Sequence, residues 1–176
     1  MKLIIILIVF TSIVFFAQSD PNDDYTKKTL VKVGEKAPNF ECKTLSGENF
    51  TLSEQKEKVV VITFFATWCP HCLKELPQIE DKIYNEFKNN SDFKLIVIGR
   101  KHDVAELEKF KEKKNFALPF APDPKGEIYA KYAEKYIPRV FVVGKDGNII
   151  LISKGAPEGR IEEIYQTVKK ELETKK

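Results

Sequence analysis

Two cysteines separated by two residues are the part of this sequence best suited to chemistry. They lie in the segment Trp68-Cys69-Pro70-His71-Cys72, between a predicted buried strand and a predicted helix. Cys69 would therefore lie at a helix N-terminus, where unpaired N–H groups, the helix dipole and the neighbouring His71 all stabilise a thiolate. Because only the thiolate attacks a disulfide, we predict that Cys69 is the nucleophile of a redox-active pair. Cys72, about one turn further along the helix, would resolve the mixed disulfide.

The number and spacing of the cysteines argue against a structural or metal-binding role for this pair. The chain has three cysteines, so they cannot all be paired internally, and a disulfide-rich scaffold is excluded. A disulfide between Cys69 and Cys72 closes too small a loop to be a useful structural staple. A zinc site would need more ligands, but there is no second cysteine pair and His102 is the only other histidine. We predict no metal and no cofactor, and we expect Cys42 to be a small buried hydrophobic residue.

The apolar pattern predicts an α/β fold around this pair. Strands are predicted near 40–42 and 50–52, where a Ser-Gly turn makes a hairpin, and over 58–66, 93–99, 139–143 and 149–153. Helices are predicted over 70–87, with a kink near Pro77, from 104 to 110, over 129–136 and over 161–172. The first crossovers favour parallel strands, whereas an Asp-Gly turn makes the last two strands antiparallel. We predict a three-layer α/β/α sandwich with a mixed central sheet and an added N-terminal β-hairpin.

The N-terminus indicates export. Lys2 precedes an apolar run that ends in small residues, which is typical of a signal peptide over 1–19, with an uncleaved anchor as the alternative. Residues 20–32 are polar and are predicted to be a linker, and 33–176 are predicted to form one domain. The formal charge of +3 becomes +2 once Lys2 is removed, and lysines alternate with acids, so no nucleic-acid partner is indicated.

The residues around the cysteine pair resemble a known family. The run from Phe64 to Pro77, Phe-Phe-Ala-Thr-Trp-Cys-Pro-His-Cys-Leu-Lys-Glu-Leu-Pro, resembles the active-site segment of membrane-associated, periplasmic thioredoxin-like proteins of the TlpA and ResA type, which are related to the AhpC/TSA group. The lead-in from Val33 to Phe40 and the run from Tyr136 to Val143 extend the match to nearly all of the predicted domain. The resemblance implies a thioredoxin-like fold and an exported, extracytoplasmic thiol–disulfide oxidoreductase. Its partners would be client proteins with cysteines or disulfides and a membrane electron donor or acceptor.

The resemblance also implies roles for individual residues. Pro138 matches the cis-proline that faces the disulfide and shapes the peptide-binding groove, although an ordinary strand-edge proline is the alternative. Glu75 matches an acid near the buried cysteine, with a solvated helix carboxylate as the alternative. Trp68 matches the aromatic residue beside the nucleophile, where ordinary packing is an equal alternative. The predicted client-binding residues are Trp68, Pro70, Ile137 and Pro138.

Two departures from related proteins leave the direction of electron flow open. Thioredoxins proper have a buried aspartate where this chain has Thr63, so Glu75 becomes the candidate proton acceptor for Cys72. The Pro70-His71 dipeptide is the one found in strongly oxidising DsbA-type proteins, whereas the lead-in and the hairpin resemble the reductive branch. We expect a reductase, for example of the cytochrome c maturation type, rather than an oxidase.

Two other functions compete with this prediction. A peroxiredoxin shares the fold, but it needs a proline and a threonine at set spacing before its cysteine, and 62–68 has no proline and has Thr67 at the wrong offset. A non-catalytic metal- or haem-assembly binding module would use the cysteines as ligands. The copper-binding version has three residues between its cysteines and a distant histidine, and this chain does not clearly have either.

Overall fold

The structure is a computed structural model that describes residues 24–174. The strands are β1 Glu41–Lys43, β2 Asn49–Thr51, β3 Val59–Phe65, β4 Phe93–Arg100, β5 Phe120–Asp123, β6 Arg139–Val143 and β7 Ile149–Lys154. The helices are α1 Asp24–Lys27, α2 Pro70–Ile79, α3 Asn85–Phe87, α4 Val104–Lys114 and α5 Arg160–Glu173.

The main sheet has five strands in the order β5-β4-β3-β6-β7. β3, β4 and β5 run parallel, whereas β6 is antiparallel to both β3 and β7. β1 and β2 form a separate antiparallel hairpin. The predicted α/β fold, with a mixed sheet and an N-terminal hairpin, is confirmed.

β3 is the central strand of the sheet and is buried on both faces, as its sequence, apolar at every position except Thr63, predicts. Alternate side chains point to opposite faces of the sheet and so belong to two separate cores. One core includes both cysteines of the pair and residues of α2, α4 and α5. The other lies under the hairpin, the 31–40 segment and a 3₁₀ turn over Tyr129–Lys131. The helix predicted over 129–136 is therefore only this turn.

The first long helix changes its hydrogen bonding after Pro77. α2 gives way to a π-helical segment over Glu80–Tyr84, and α3 follows directly. Proline has no N–H group to donate within a helix, and π segments occur where the regular ladder is interrupted. The kink predicted near Pro77 takes this form.

Two parts of the chain differ from the prediction. β5 is absent from the predicted strands, but the structure has it as an edge strand, where Pro122 is tolerated. Residues 24–32, within the predicted linker, instead contain α1 and pack on the domain, with the Leu30 N–H donating to the Tyr132 carbonyl at 2.9 Å. Buried Val31 makes this packing favourable.

The predicted signal peptide, 1–19, lies outside the described residues. Between residues 24 and 174, no helix is long and apolar enough to cross a membrane.

Candidate active site

The cysteine pair forms a disulfide at the start of α2. Cys69 is the N-cap residue, with extended backbone angles, and Pro70 occupies the first helical position, where a missing N–H costs nothing. The Cys72 N–H donates to the Cys69 sulfur at 3.2 Å. The sulfur therefore takes the place that a side-chain oxygen takes in an ordinary N-cap, and the same N–H would stabilise a Cys69 thiolate.

Solvent reaches the two sulfur-bearing residues and their neighbours unequally. Cys69 is 4% exposed and Cys72 is 1% exposed, so the order of exposure is the predicted one but the difference in the disulfide form is small. Trp68 is 68% exposed, and Pro70 and His71 are exposed as well. Trp68 therefore does not pack in the core, and these three residues are accessible to a macromolecule that approaches the disulfide.

The peptide bond between Ile137 and Pro138 is cis, and it immediately precedes β6. Pro138 is buried, and Ile137 is half-buried against the core cluster that contains both cysteines. Tyr136, the residue before them, has a positive φ of 72° and is 37% exposed.

Glu75 forms a buried ion pair with Arg160 at the start of α5. Arg160 Nη1 donates to Glu75 Oε2 at 3.0 Å, and Arg160 Nη2 donates to the Ser153 carbonyl at 3.2 Å. Burial raises the pKa of Glu75 above its usual value of 4.5, while the charge of Arg160 opposes this rise. Burial likewise lowers the pKa of Arg160, although a guanidinium remains protonated in proteins. Glu75 is thus not a solvated carboxylate of the helix surface.

Two buried oxygens on this side of the sheet make no hydrogen bond within the described part of the chain, Glu75 Oε1 and Thr63 Oγ1. Thr63 alternates with Val61 and Phe65 on β3, so its side chain faces the core that contains the cysteines. Buried polar atoms are almost always paired, and the exceptions tend to have a chemical role. Glu75 Oε1 is therefore the carboxyl oxygen that is not already engaged by Arg160.

His102 supports the loop before Cys69. The Thr67 N–H donates to His102 Nε2 at 3.0 Å, so the imidazole proton is on Nδ1, from which it can reach Glu106 Oε2 at 3.2 Å. His102 is buried at the end of β4, and Glu106 belongs to the capping box of α4. These contacts tie the loop to the neighbouring strand and helix.

Arg160 and His102 were not predicted to act at the site. Arg160 is 85 residues from Glu75 in sequence, and His102 is 35 residues from Thr67. No local spacing connects either pair. The only available signals were a charged residue at the start of an amphipathic helix and a lone histidine after a buried strand.

An open groove of about 400 Å³ lies along α2 next to the disulfide. Its walls include His71, Lys74 and Glu75 on α2 and the 156–162 segment at the start of α5. The groove is charged rather than apolar.

The third cysteine lies on the hairpin, away from the pair. Cys42 is half-buried and is not in a disulfide. Burial, and secondarily the charge of Asp123, raise the pKa of Cys42 to about 12. It is therefore a poor nucleophile at neutral pH. Over residues 24–174 no cluster of three or more His, Cys, Asp or Glu side chains is arranged to hold a metal ion.

A family model and two similar relatives of this chain point to the same protein family. Residues 33–152 match the model of the AhpC/TSA family. The thiol-disulfide oxidoreductase ResA of Bacillus thuringiensis is 31% identical over 146 residues, which cover 83% of this chain and 82% of the relative. The thioredoxin-like protein YneN of Bacillus subtilis is 34% identical over 131 residues, or 71% of this chain and 74% of the relative.

Solved structures agree with these sequence matches. The solution structure of a candidate protein disulfide isomerase from Bacteroides thetaiotaomicron superposes with a TM-score of 0.80 at 32% identity, covering 84% of this chain and 94% of that one. The crystal structure of StoA from Bacillus subtilis gives a TM-score of 0.63 at 26% identity, covering 74% and 96%. A thioredoxin-like fold, a disulfide at a helix N-terminus and relatives named for thiol–disulfide exchange lead to one conclusion: this chain belongs to the AhpC/TSA family and is a thiol–disulfide oxidoreductase of the ResA and StoA type.

Proposed function

We propose that the protein is exported and reduces disulfides in client proteins, with Cys69 as the attacking thiolate. The observation that carries the proposal is the position of Cys69 as the N-cap of α2, where the Cys72 N–H reaches its sulfur at 3.2 Å. Stabilising a thiolate at the more exposed of the two cysteines makes it the one that meets a client.

The exchange consists of two balanced displacements. The Cys69 thiolate attacks one sulfur of a client disulfide, forms a mixed disulfide and releases the other client sulfur as a thiolate. Cys72, after losing its proton, attacks the Cys69 sulfur and releases the second client sulfur. Two electrons pass from the protein to the client, and the protein is left with the Cys69–Cys72 disulfide.

Glu75 is the proposed acceptor for the Cys72 proton. It lies three residues after Cys72 on the same helix and is 4% exposed, so the two groups share a dry environment. Its raised pKa brings its proton affinity nearer to that of a thiol than an ordinary carboxylate would have, which favours transfer in both directions. Arg160 holds Oε2, which leaves Oε1 for the proton.

The residues proposed to bind clients come from two distant parts of the sequence. Trp68 and Pro70 flank Cys69 and are exposed, and the cis Ile137–Pro138 bond precedes β6. Exposed Trp side chains combine large apolar area with a polar N–H, a combination enriched at protein interfaces.

Export and the reductive direction rest on the sequence. The apolar run over 1–19 supports a secreted or membrane-anchored protein, whose oxidised form a membrane electron donor would reduce again. The lead-in and the hairpin, which resemble the reductive branch, support a reductase.

Trapping experiments test the assignment of the two thiols. Cys72→Ser should accumulate mixed disulfides with exported proteins through Cys69, whereas Cys69→Ser should trap almost none, because its remaining thiol is the more buried one. The reduction potential of the wild-type pair, measured against glutathione, tests the direction, since a value well below that of the glutathione couple is expected for a reductase. Equal trapping by both variants would contradict the assignment, and rapid peroxide consumption through Cys69 would favour a peroxidase instead.

A further inference from the structure

The residues that lead into the domain pack against the loop that contains the cis-proline. We call residues 24–31 the N-terminal segment and residues 135–138 the cis-proline loop. A β-bridge joins Thr29 to Ala133, just before this loop, and the Glu134 N–H donates to the Lys28 carbonyl at 3.0 Å. The N-terminal segment is thus held by backbone contacts beside the cis-proline loop.

Arg139 joins the two pieces of chain from inside the protein. Its side chain is fully buried, although it directly follows Pro138. Within the cis-proline loop it donates to the Lys135 carbonyl at 2.8 Å and to the Tyr136 carbonyl at 3.1 Å. In the N-terminal segment it donates to Thr29 Oγ1 at 2.7 Å and to the Tyr25 carbonyl at 3.2 Å. A planar guanidinium with five donors can fix both pieces at once.

Side chains add a second connection on the surface. The rings of Tyr25 and Tyr136 lie 4.8 Å apart between centroids at an interplanar angle of 35°. The Tyr136 hydroxyl donates to the Asp24 carboxylate, and the Tyr25 hydroxyl is 3.4 Å from the Ile137 carbonyl. Tyr136 has a left-handed backbone conformation, which a bulky residue adopts only when its surroundings enforce it. The contacts with Tyr25 and Asp24 are part of that enforcement.

We propose that the N-terminal segment is a positioning element of the client-binding site. Through Arg139 and the contact between Tyr25 and Tyr136, it holds the cis-proline loop in the shape that receives a cysteine-bearing segment of a client protein. Tyr25 acts through Tyr136, whose exposed ring is next to Ile137 and Pro138 and is available to the client. This inference rests on the proposed function, because it assumes that clients bind at the cis-proline loop.

The test separates client binding from the chemistry of the disulfide. The full chain in its reduced form is mixed with a short peptide whose single cysteine carries 2-nitro-5-thiobenzoate as a mixed disulfide. Attack of Cys69 on the peptide sulfur releases the coloured thiolate, and its rate against peptide concentration gives an apparent affinity and a maximal rate. Bis(2-hydroxyethyl) disulfide, which is too small to contact the cis-proline loop and Cys69 together, serves as the second substrate.

Tyr25→Ala should weaken the apparent affinity for the peptide by about threefold to tenfold, the range that the loss of one aromatic pair corresponds to. The maximal rate and the rate with bis(2-hydroxyethyl) disulfide should stay unchanged. Tyr25→Phe keeps the ring but loses the hydroxyl contact with the Ile137 carbonyl, so it should lose less affinity than Tyr25→Ala. Lys27→Ala, which alters an exposed side chain of the same segment, should behave like the wild type. Thr29→Val removes the hydroxyl that accepts from Arg139 and should also weaken the affinity for the peptide. It provides the same test in case Tyr25→Ala is unstable.

Each other outcome overturns the inference in a recognisable way. If Tyr25→Ala and Thr29→Val bind the peptide as tightly as the wild type, the N-terminal segment does not position the loop. If the reaction rates of these variants fall by the same factor with the peptide and with bis(2-hydroxyethyl) disulfide, the segment acts on the fold or on the thiols and not on client binding. A wild type that fails to react with the peptide at all would overturn the proposed function, and this inference with it.

Discussion

The two oxygens of the Glu75 carboxyl group have different environments. Oε2 accepts a hydrogen bond from Arg160 at 3.0 Å, whereas the equally buried Oε1 makes none with the described residues. A carboxyl group that is held at one oxygen and open at the other can exchange a proton without losing its position. The ion pair therefore fixes the geometry, while burial raises the proton affinity.

Replacing Glu75 by glutamine should remove this proton exchange and keep the fold. The amide oxygen can still accept from Arg160, but the side chain no longer takes a proton, so Cys72 attack should slow by about a hundredfold, as for a lost general base. In the wild type, the rate should fall on the acid side with a midpoint above pH 4.5, because burial raises the pKa of Glu75 above that value. Stopped-flow measurement of mixed-disulfide resolution against pH would check both points. An unchanged acid limb in Glu75→Gln would return Glu75 to a purely structural role.

Cys42 should be almost inert toward alkylation in the folded protein. With a pKa of about 12 it is mostly a protonated thiol at neutral pH, because burial and Asp123 disfavour its thiolate. Iodoacetamide added to the reduced protein should modify Cys69 first and Cys42 only after unfolding, and Cys42→Ala should retain full exchange activity. Modification of Cys42 at a rate like that of Cys69 would contradict this prediction.

The placement of the site residues was predictable where the signal is local in sequence. Cys69, Cys72 and Pro70 occupy neighbouring positions, and their spacing alone indicates a thiolate at a helix start. The contacts of Arg160 and His102 were not predictable in this way, because their partners come from distant parts of the chain. Buried Arg160 depends on the Glu75 carboxylate and the Ser153 carbonyl, and these partners are brought to it only once the backbone has folded.

At the scale of elements, we expect the start of α2 to set the reduction potential of the Cys69–Cys72 pair. His71 is exposed in the first turn of α2, two residues after Cys69 at its N-cap. It can stabilise a thiolate by its charge when protonated, or by N–H donation when neutral. Whatever stabilises the thiolate stabilises the reduced form and makes the disulfide a stronger oxidant.

His71→Pro should therefore make the potential more negative by some tens of millivolts, since about 30 mV corresponds to about 1.4 kcal/mol for two electrons. The thiolate absorbance of Cys69 should appear at higher pH in the same variant. His71→Gln, which keeps a neutral donor, serves as the matched control and should shift the potential less. Equilibration with glutathione gives the potentials, and a thiolate midpoint that rises without any fall in potential would disprove this mechanism.

Helices and strands with a clear pattern of apolar residues were predictable from the sequence. Segments whose structure depends on contacts with distant parts of the chain were not. The sequence of β3 is apolar at nearly every position, so its burial on both faces follows directly. β5 contains Pro122, and only its place at the sheet edge makes that proline acceptable. The N-terminal segment is polar, and its order depends on bonds from Arg139, more than a hundred residues away.

At the scale of the whole molecule, Arg160 links three elements that are far apart in the chain. It starts α5, pairs with Glu75 on α2 and donates to the Ser153 carbonyl on β7. The closing helix is thereby attached to the helix that carries the disulfide. With the proposed role of Glu75 in proton transfer, stability and redox chemistry would depend on the same ion pair.

Arg160→Met should lower the free energy of unfolding by about 3–5 kcal/mol at neutral pH, because it leaves a buried carboxylate without its cationic partner. The loss should depend on pH in a defined direction. Without Arg160, the pKa of Glu75 in the folded protein rises further, so the native state holds a proton that the unfolded chain releases above about 4.5. Stability relative to the wild type then falls as pH rises above that value and recovers as pH falls toward it.

Urea unfolding of the wild type, Arg160→Met, Glu75→Gln and the double variant Glu75→Gln/Arg160→Met over this range provides the test. The double variant has no carboxyl group at position 75, so its stability relative to the single variant Glu75→Gln should not depend on the titration of this group. The deficit that Arg160→Met retains at low pH would then measure the lost packing and the lost bond to Ser153. A deficit in Arg160→Met that is the same at every pH would contradict this prediction, because it would mean that Arg160 does not affect the protonation of Glu75 in the folded protein.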